Sequence, residues 1–156
     1  MKYLLIRHGK TDADRLTRAA FGKSGAPLSD AGKAQATKLK EELLSRSIDL
    51  DQELVVVSQL LRTIETARLA GFTNIEVNPL LNEVNTDNPQ NTLNLVAQGL
   101  VPQEAIDAAK AIISNPPAAK IWVTHGLVIA AIQYVLGQVD PDHFVPNFCE
   151  VREIEL

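Results

Sequence analysis

Two histidines and two arginines stand where apolar runs of this chain give way to turns. The run Tyr3-Leu4-Leu5-Ile6 ends in Arg7-His8-Gly9, the run Leu54-Val55-Val56-Val57 is followed by Ser58-Gln59-Leu60-Leu61-Arg62, and Trp122-Val123-Thr124 runs into His125-Gly126. A guanidinium grips two oxygens of an anion through parallel charge-assisted hydrogen bonds, and an imidazole beside it can donate, accept or attack. Cations crowded into one place repel each other unless an anion is their guest. A dianionic phosphoryl group, able to accept several such bonds, is the guest that fits. The constellation Arg7, His8, Arg62, His125 and the Gly126 amide therefore points to phosphate chemistry.

These residues can meet only if the fold brings the three junctions together. Short apolar runs over 3–6, 54–57 and 120–124, with a shorter one over 75–77, read as strands covered on both faces. Between them the spacing predicts helices over 29–45, 60–70, 102–115 and 127–136, with a short one over 92–98. Gly71 and Gly137 mark helix ends, and Pro102 opens a helix that Pro116-Pro117 stops. The segment 11–27 reads as a long loop, and 82–90, with Asn82, Asn85, Asn88 and Pro89, as an irregular one. The close of the chain, 149–156, alternates Val151, Ile154 and Leu156 with charges and reads as an edge strand for which an antiparallel direction is open.

Strands alternating with helices imply a single α/β domain over 1–156. The expected architecture is a three-layer αβα sandwich around a doubly wound, mostly parallel sheet. In such a sheet the carboxyl ends of the parallel strands share one edge, where ligands bind. Arg7-His8, Arg62 and His125 all follow strand exits on that edge.

Bulk properties exclude more than they assign. The 156 residues are 46% hydrophobic and 22% charged, as in an ordinary globular domain. A net charge of −4 argues against nucleic acid or an anionic membrane as partner. No apolar stretch approaches the roughly 20 residues of a membrane helix. The first strand begins at Lys2, leaving no room for a leader, and the lone Cys149 fits a reducing compartment, so a cytoplasmic location is expected. Gly22-Lys23-Ser24 is not a P-loop, because the required earlier glycine falls at Thr17 and no strand precedes it. A metal set from His8, His125 and His143 with Asp140 or Asp142 is weaker than the anion reading, and no cofactor or metal is expected. His143 reads as simply exposed, Trp122 as core, and Cys149 as packing rather than a nucleophile.

Four ordered blocks are similar to those of a known family. Arg7-His8-Gly9-Lys10-Thr11 and then Pro27-Leu28-Ser29-Asp30-Ala31-Gly32 with Gln35-Ala36 resemble the opening of the histidine phosphatase superfamily, the phosphoglycerate-mutase-like fold. Val57-Ser58-Gln59-Leu60-Leu61-Arg62-Thr63-Ile64-Glu65-Thr66-Ala67 resembles its second block, Leu81-Asn82-Glu83 its acid-bearing block, and Val123-Thr124-His125-Gly126 its last. The resemblance implies that His8 is the nucleophile and carries the phosphoryl group as phosphohistidine. It implies that Arg7, Arg62, His125 and Gly126 hold the equatorial oxygens, with Thr11 and position 14 in the binding loop. Glu83 would be the general acid, protonating the leaving oxygen and then activating water.

The chain departs from that pattern at several places. Asp14 stands where many members carry asparagine, and its carboxylate repels phosphate unless Arg15 or Arg18 compensates. Gln59 replaces a usual proline and reads as a change in loop stiffness. Val84-Asn85-Thr86-Asp87 replaces the glycine and tryptophan that often follow the acid. The segment from Glu83 to His125 is short beside the insertion that closes mutases over their substrate, which favours hydrolysis. The resulting expectation is a metal-independent phosphatase acting on a phosphomonoester. A phosphomutase, a protein phosphohistidine phosphatase and a non-catalytic phospho-ligand binding domain are its rivals. The expected partner is a small phosphorylated molecule or a phosphoprotein; oligomeric state is not encoded in any readable pattern.

Overall fold

The computed structural model describes residues 1–12 and 24–156. Five strands form one sheet in the order β3-β2-β4-β1-β5. They are β1 (Lys2–Arg7), β2 (Leu54–Val57), β3 (Asn74–Val77), β4 (Ile121–Thr124) and β5 (Val151–Glu155). β4 lies between β1 and β2, parallel to both, and β2 is parallel to β3. β5 runs antiparallel beside β1, so the edge strand left open in direction is antiparallel.

The helices are α1 (Asp30–Ser45), α2 (Leu61–Leu69), α3 (Pro89–Ala97), α4 (Gln103–Ser114) and α5 (Gly126–Leu136). Alternate strand residues face opposite layers, as the period of two requires. Tyr3, Leu5, Val56 and Trp122 pack with Ala105, Ala109 and Ile112 of α4 and with Leu127 to Ile132 of α5. Ile6, Val55, Val57, Ile121 and Val123 pack on the other face with Ala36, Leu39 and Leu43 of α1 and Ala67 of α2. The three-layer expectation is met. Trp122 is fully buried, its indole N–H donating to the Ala119 carbonyl at 2.7 Å. Among the described residues no helix is long and apolar enough to cross a membrane.

Two boundaries differ from expectation. A single 3₁₀ turn, Pro79–Leu81, follows β3; the Asn78 side chain caps it by accepting from the Leu80 amide at 3.0 Å. α3 begins three residues earlier than the apolar spacing suggests, because Asn88 caps it and Pro89 supplies its first turn. Both signals are asparagine followed by proline, and the second lies inside the stretch 82–90 expected to be an irregular loop. Gly71 and Gly137 follow their helices with φ of 99° and 68°, as a left-handed helix end demands.

The loop after β1 is fixed to α1 and α2 by groups from the quoted blocks. Ser29 caps α1, accepting from the Gly32 amide at 3.1 Å while its hydroxyl donates to the Lys10 carbonyl at 3.1 Å. The Lys10 amide donates to Gln35 Oε1 at 2.9 Å, the Gly9 amide to Thr66 Oγ1 at 2.9 Å, and the Leu28 amide to Glu65 Oε1 at 3.0 Å. A β-carbon on Gly32 would overlap the Lys10 carbonyl oxygen. These residues are therefore the mould in which the Arg7-His8-Gly9 turn is cast.

Candidate active site

His8, Arg62 and His125 converge at the carboxyl ends of β1, β2 and β4. Their side chains are almost wholly buried, His8 at 6%, Arg62 at 1% and His125 at 0% exposure. β1 delivers His8 because its amide still pairs with the Thr124 carbonyl of β4 at 3.0 Å. The His8 and His125 rings meet edge to face with centroids 5.1 Å apart. Arg62, in the first turn of α2, reaches across so that its Nε donates to His8 Nε2 at 3.3 Å.

The His8 ring has its tautomer set by the backbone. Nδ1 lies 2.7 Å from the Gly9 carbonyl oxygen, which can only accept. Nδ1 therefore carries the proton, and Nε2 presents a lone pair toward Arg62. Burial, then the Arg62 charge and more weakly that of Arg7, hold the His8 pKa down to about 3, against the Gly9 bond and the Glu83 carboxylate, which pull it up. Burial is thus the leading cause, where the sequence offered only the neighbouring cations. The imidazole is neutral at any ordinary pH.

Arg7 is held by two groups that the sequence did not connect to it. Its Nη1 donates to the Pro146 carbonyl at 2.7 Å, and its guanidinium lies 4.1 Å above the centre of the Phe148 ring. Gly126 passes so close that a β-carbon there would stand 2.9 Å from Arg7 Nε. Phe148 also faces the His8 ring, at 6.0 Å between centroids. The turn that presents it is tied to β1 by the Cys149 amide, which donates to the Arg7 carbonyl at 2.9 Å, with Cys149 at a φ of 58°. The Cys149 thiol is buried and pushed up to about 12 by that burial, in keeping with a packing role.

Buried Arg152 braces the same turn. Its guanidinium donates to the carbonyls of His143 at 2.6 Å and Phe144 at 2.9 Å, and to Gln133 Oε1 at 2.6 Å. Its Nε donates to Glu150 Oε2 at 2.7 Å, while Glu150 Oε1 takes the Asn147 amide at 3.0 Å and faces His143 Nε2 at 2.6 Å. Burial works to raise the Glu150 carboxyl, but the Asn147, Arg152 and His143 donors outweigh it and keep its pKa below the ordinary value. His143, expected to be simply exposed, is a partner in this network. No signal in the sequence separates Arg152 from the other charges of an edge strand.

His125 and Glu83 complete the cluster. His125 Nε2 lies 2.9 Å from Ser58 Oγ, which also receives the Leu60 amide at 3.1 Å and touches Thr63 Oγ1 at 2.9 Å. Glu83 Oε2 lies 3.8 Å from His125 Nδ1, and the Glu83 side chain is 11% exposed. Its other oxygen, Oε1, accepts from the Val84 amide at 3.0 Å. The carboxyl is thus set against a buried imidazole whose ring in turn meets that of His8.

Thr11 pairs with Leu28 in an isolated antiparallel bridge. Asp14, with Arg15 and Arg18, lies outside the described residues. Among the described residues no group of three or more histidine, cysteine, aspartate or glutamate side chains is arranged to hold a metal ion, so His8, His125 and His143 with Asp140 or Asp142 are not brought together.

Comparison with known proteins bears on the family and the fold. Residues 3–98 match the family model described as histidine phosphatase superfamily (branch 1). An acid phosphatase of Mycobacterium tuberculosis is 42% identical over 82 residues, which are 53% of this chain and 39% of that protein. The match thus spans about two-fifths of that relative's length. Among solved structures, a mycobacterial glucosyl-3-phosphoglycerate phosphatase in complex with VO3 superposes with a TM-score of 0.66 at 19% identity, covering 99% of this chain and 90% of that one. A Thermus thermophilus protein, TTHB049, gives 0.63 at 25% identity, covering 96% and 99%. These structural likenesses bear on the fold.

Proposed function

Starting from the fact that the chain belongs to the histidine phosphatase superfamily, we propose that it is a metal-independent phosphomonoesterase working through a phosphohistidine on His8. The observation that carries this reading is the pairing of His8 Nδ1 with the Gly9 carbonyl, which leaves Nε2 as the attacking atom. The imidazole of His8 stays neutral because its pKa is about 3, so no base is needed to free the lone pair.

The reaction follows from the placement of charge. A phosphate ester enters with its phosphorus in line with Nε2, and the Arg62 Nε–H, which rests on Nε2 at 3.3 Å, turns to a phosphoryl oxygen. Arg7, Arg62, His125 and the Gly126 amide take the equatorial oxygens, where the charge of a loose transition state collects. Glu83 gives its proton to the leaving alcohol as the P–O bond breaks and the N–P bond forms. The resulting carboxylate then removes a proton from water, which attacks phosphorus and returns His8 to its starting state.

The test is release of phosphate from 4-nitrophenyl phosphate and from an alkyl phosphate by chelator-treated protein, with trapping of acid-labile phosphoprotein. His8→Ala is expected to abolish turnover and labelling together; labelling that survives would place the nucleophile elsewhere. In kcat/KM, which reports transfer to His8 and not the later attack of water, Glu83→Gln is expected to slow the alkyl ester far more than the aryl ester, because only the poorer leaving group needs the proton. Phosphate binding without turnover in the unsubstituted protein would favour a binding domain, and transfer within a phosphoglycerate would favour a mutase.

A further inference from the structure

Gln59 and Asn82 come from different loops and close a ring of two hydrogen bonds. The Gln59 backbone N–H donates to Asn82 Oδ1 at 2.8 Å, and Asn82 Nδ2 donates to Gln59 Oε1 at 2.8 Å. The backbone donor fixes which end of the Asn82 amide is oxygen, and that in turn fixes the Gln59 amide. A proline at 59 has no N–H and could not make the first bond.

Each member is one residue from a group of the site. Gln59 follows Ser58, whose hydroxyl sits on His125 Nε2 at 2.9 Å, and Asn82 precedes Glu83. The residue before Asn82 is held as well, since Thr124 Oγ1 donates to the Leu81 carbonyl at 2.7 Å. Beyond Glu83, Val84 is buried and its amide occupies Glu83 Oε1 at 3.0 Å. The acid-bearing segment is thus fastened to the end of β4 through Leu81 and to the Ser58–Arg62 turn through Asn82, which leaves Oε2 as the oxygen turned to His125. Exposed hydrogen bonds of this kind add little stability, but about 1 Å of misplacement can cost about a hundredfold in rate.

We propose that the Gln59–Asn82 pair positions Glu83 for proton donation to the leaving oxygen. The proposal rests on the acid role given to Glu83 above. Asn82→Ala is expected to lower kcat/KM on an alkyl phosphate by about tenfold or more, with kcat/KM on 4-nitrophenyl phosphate changed far less, since kcat/KM reports transfer to His8 and not the later attack of water. Gln59→Ala keeps the backbone bond and should show the same selectivity at smaller size. In a Glu83→Gln background, Asn82→Ala should bring no further loss, because the proton it helps to deliver is gone.

The experiment measures kcat/KM on both substrates for the four proteins made by combining Asn82→Ala with Glu83→Gln, with a thermal melt to confirm folding. If Asn82→Ala does not fold, Gln59→Ala takes its place in the cycle. Equal loss on both esters, or the same loss in both backgrounds, or no loss, overturns the positioning role while Glu83 keeps its own selectivity. A Glu83→Gln protein that is itself unselective overturns the acid reading, and the positioning role falls with it.

Discussion

Acidification should destabilise this fold through one residue, and the size of the effect can be worked out in advance. His8 is 6% exposed, and its pKa falls from 6.5 to about 3 in the folded chain. Above pH 6.5 neither the folded nor the unfolded state holds a proton on the ring, so the group contributes nothing to pH dependence. Between 6.5 and about 3 the unfolded chain binds that proton and the folded chain does not. Stability is therefore lost as pH falls through this window, at about 1.36 kcal/mol per pH unit.

The whole window is worth about 5 kcal/mol, and a drop to about pH 4.5 costs about 3 kcal/mol. Other groups titrate there too, so the effect is read as a difference from His8→Asn. The advantage of the unsubstituted protein over the variant should shrink by about 3 kcal/mol between about pH 7 and pH 4.5. Urea unfolding in phosphate-free buffer measures it, with Trp122, the chain's single tryptophan and fully buried, as the fluorescent reporter. A difference that stays constant across that range would mean that the folded site protonates His8 as easily as water does. The neutral-nucleophile argument would then fail. Added inorganic phosphate should soften the loss, since a bound anion favours the imidazolium.

Three substitutions test the mould around the site. Gly126→Ala places a β-carbon 2.9 Å from Arg7 Nε and 3.2 Å from Val145 Cγ1, so Arg7 must shift; kcat/KM should fall by about tenfold or more while the melting temperature moves little, and an unchanged kcat/KM would remove Arg7 from phosphate binding. Gly32→Ala drives its β-carbon into the Lys10 carbonyl, a backbone atom that cannot swing away; a loss of about 3 kcal/mol or more by urea unfolding is expected, and a neutral result would show that the turn after β1 is not fixed. Arg152→Met leaves Glu150 and two carbonyls without their buried donor; about 3 kcal/mol of stability and part of the activity should go together, and stability lost at full activity would separate this network from Arg7.

Much of this site was legible because each of its parts leaves a mark on local sequence. An apolar run that ends in Arg7-His8-Gly9 reads as a strand exit, and three such exits on one sheet edge meet whatever the loops do. The 3₁₀ turn before Glu83 and the true start of α3 were missed because asparagine and proline serve loops and helix caps alike. Glu150, Arg152 and Phe148 were invisible for a different reason. Phe148 lies against Arg7, far away in the chain, while Glu150 and Arg152 grip the turn just before them. Charge alternation on an edge strand looks the same whether a guanidinium faces water or braces a turn. The leading cause of the His8 pKa was hidden likewise, since neighbouring cations can be counted in a sequence and burial cannot.

The motif residues divide by what they touch. His8, Arg62, His125 and Glu83 face one another, whereas Ser29, Gln35 and Thr66 bond the backbone at Gly9 and Lys10, beside His8, and Glu65 bonds the Leu28 amide before α1. A catalytic imidazole needs its lone pair aimed within a fraction of an ångström, and a turn bound to water would not hold it there. Here the amides of Gly9, Lys10 and Leu28 each end on a side chain of α1 or α2, helices that are themselves anchored by the apolar layer beneath. The Gly9 carbonyl is thereby fixed, and it is this oxygen that decides which ring nitrogen of His8 keeps its proton. Replacing Thr66 by valine would remove the hydroxyl that receives the Gly9 amide without changing the shape of the core. On the proposed mechanism the lone pair at Nε2 is therefore set from the far side of the ring, through the Gly9 carbonyl and the buried Thr66 that holds its amide.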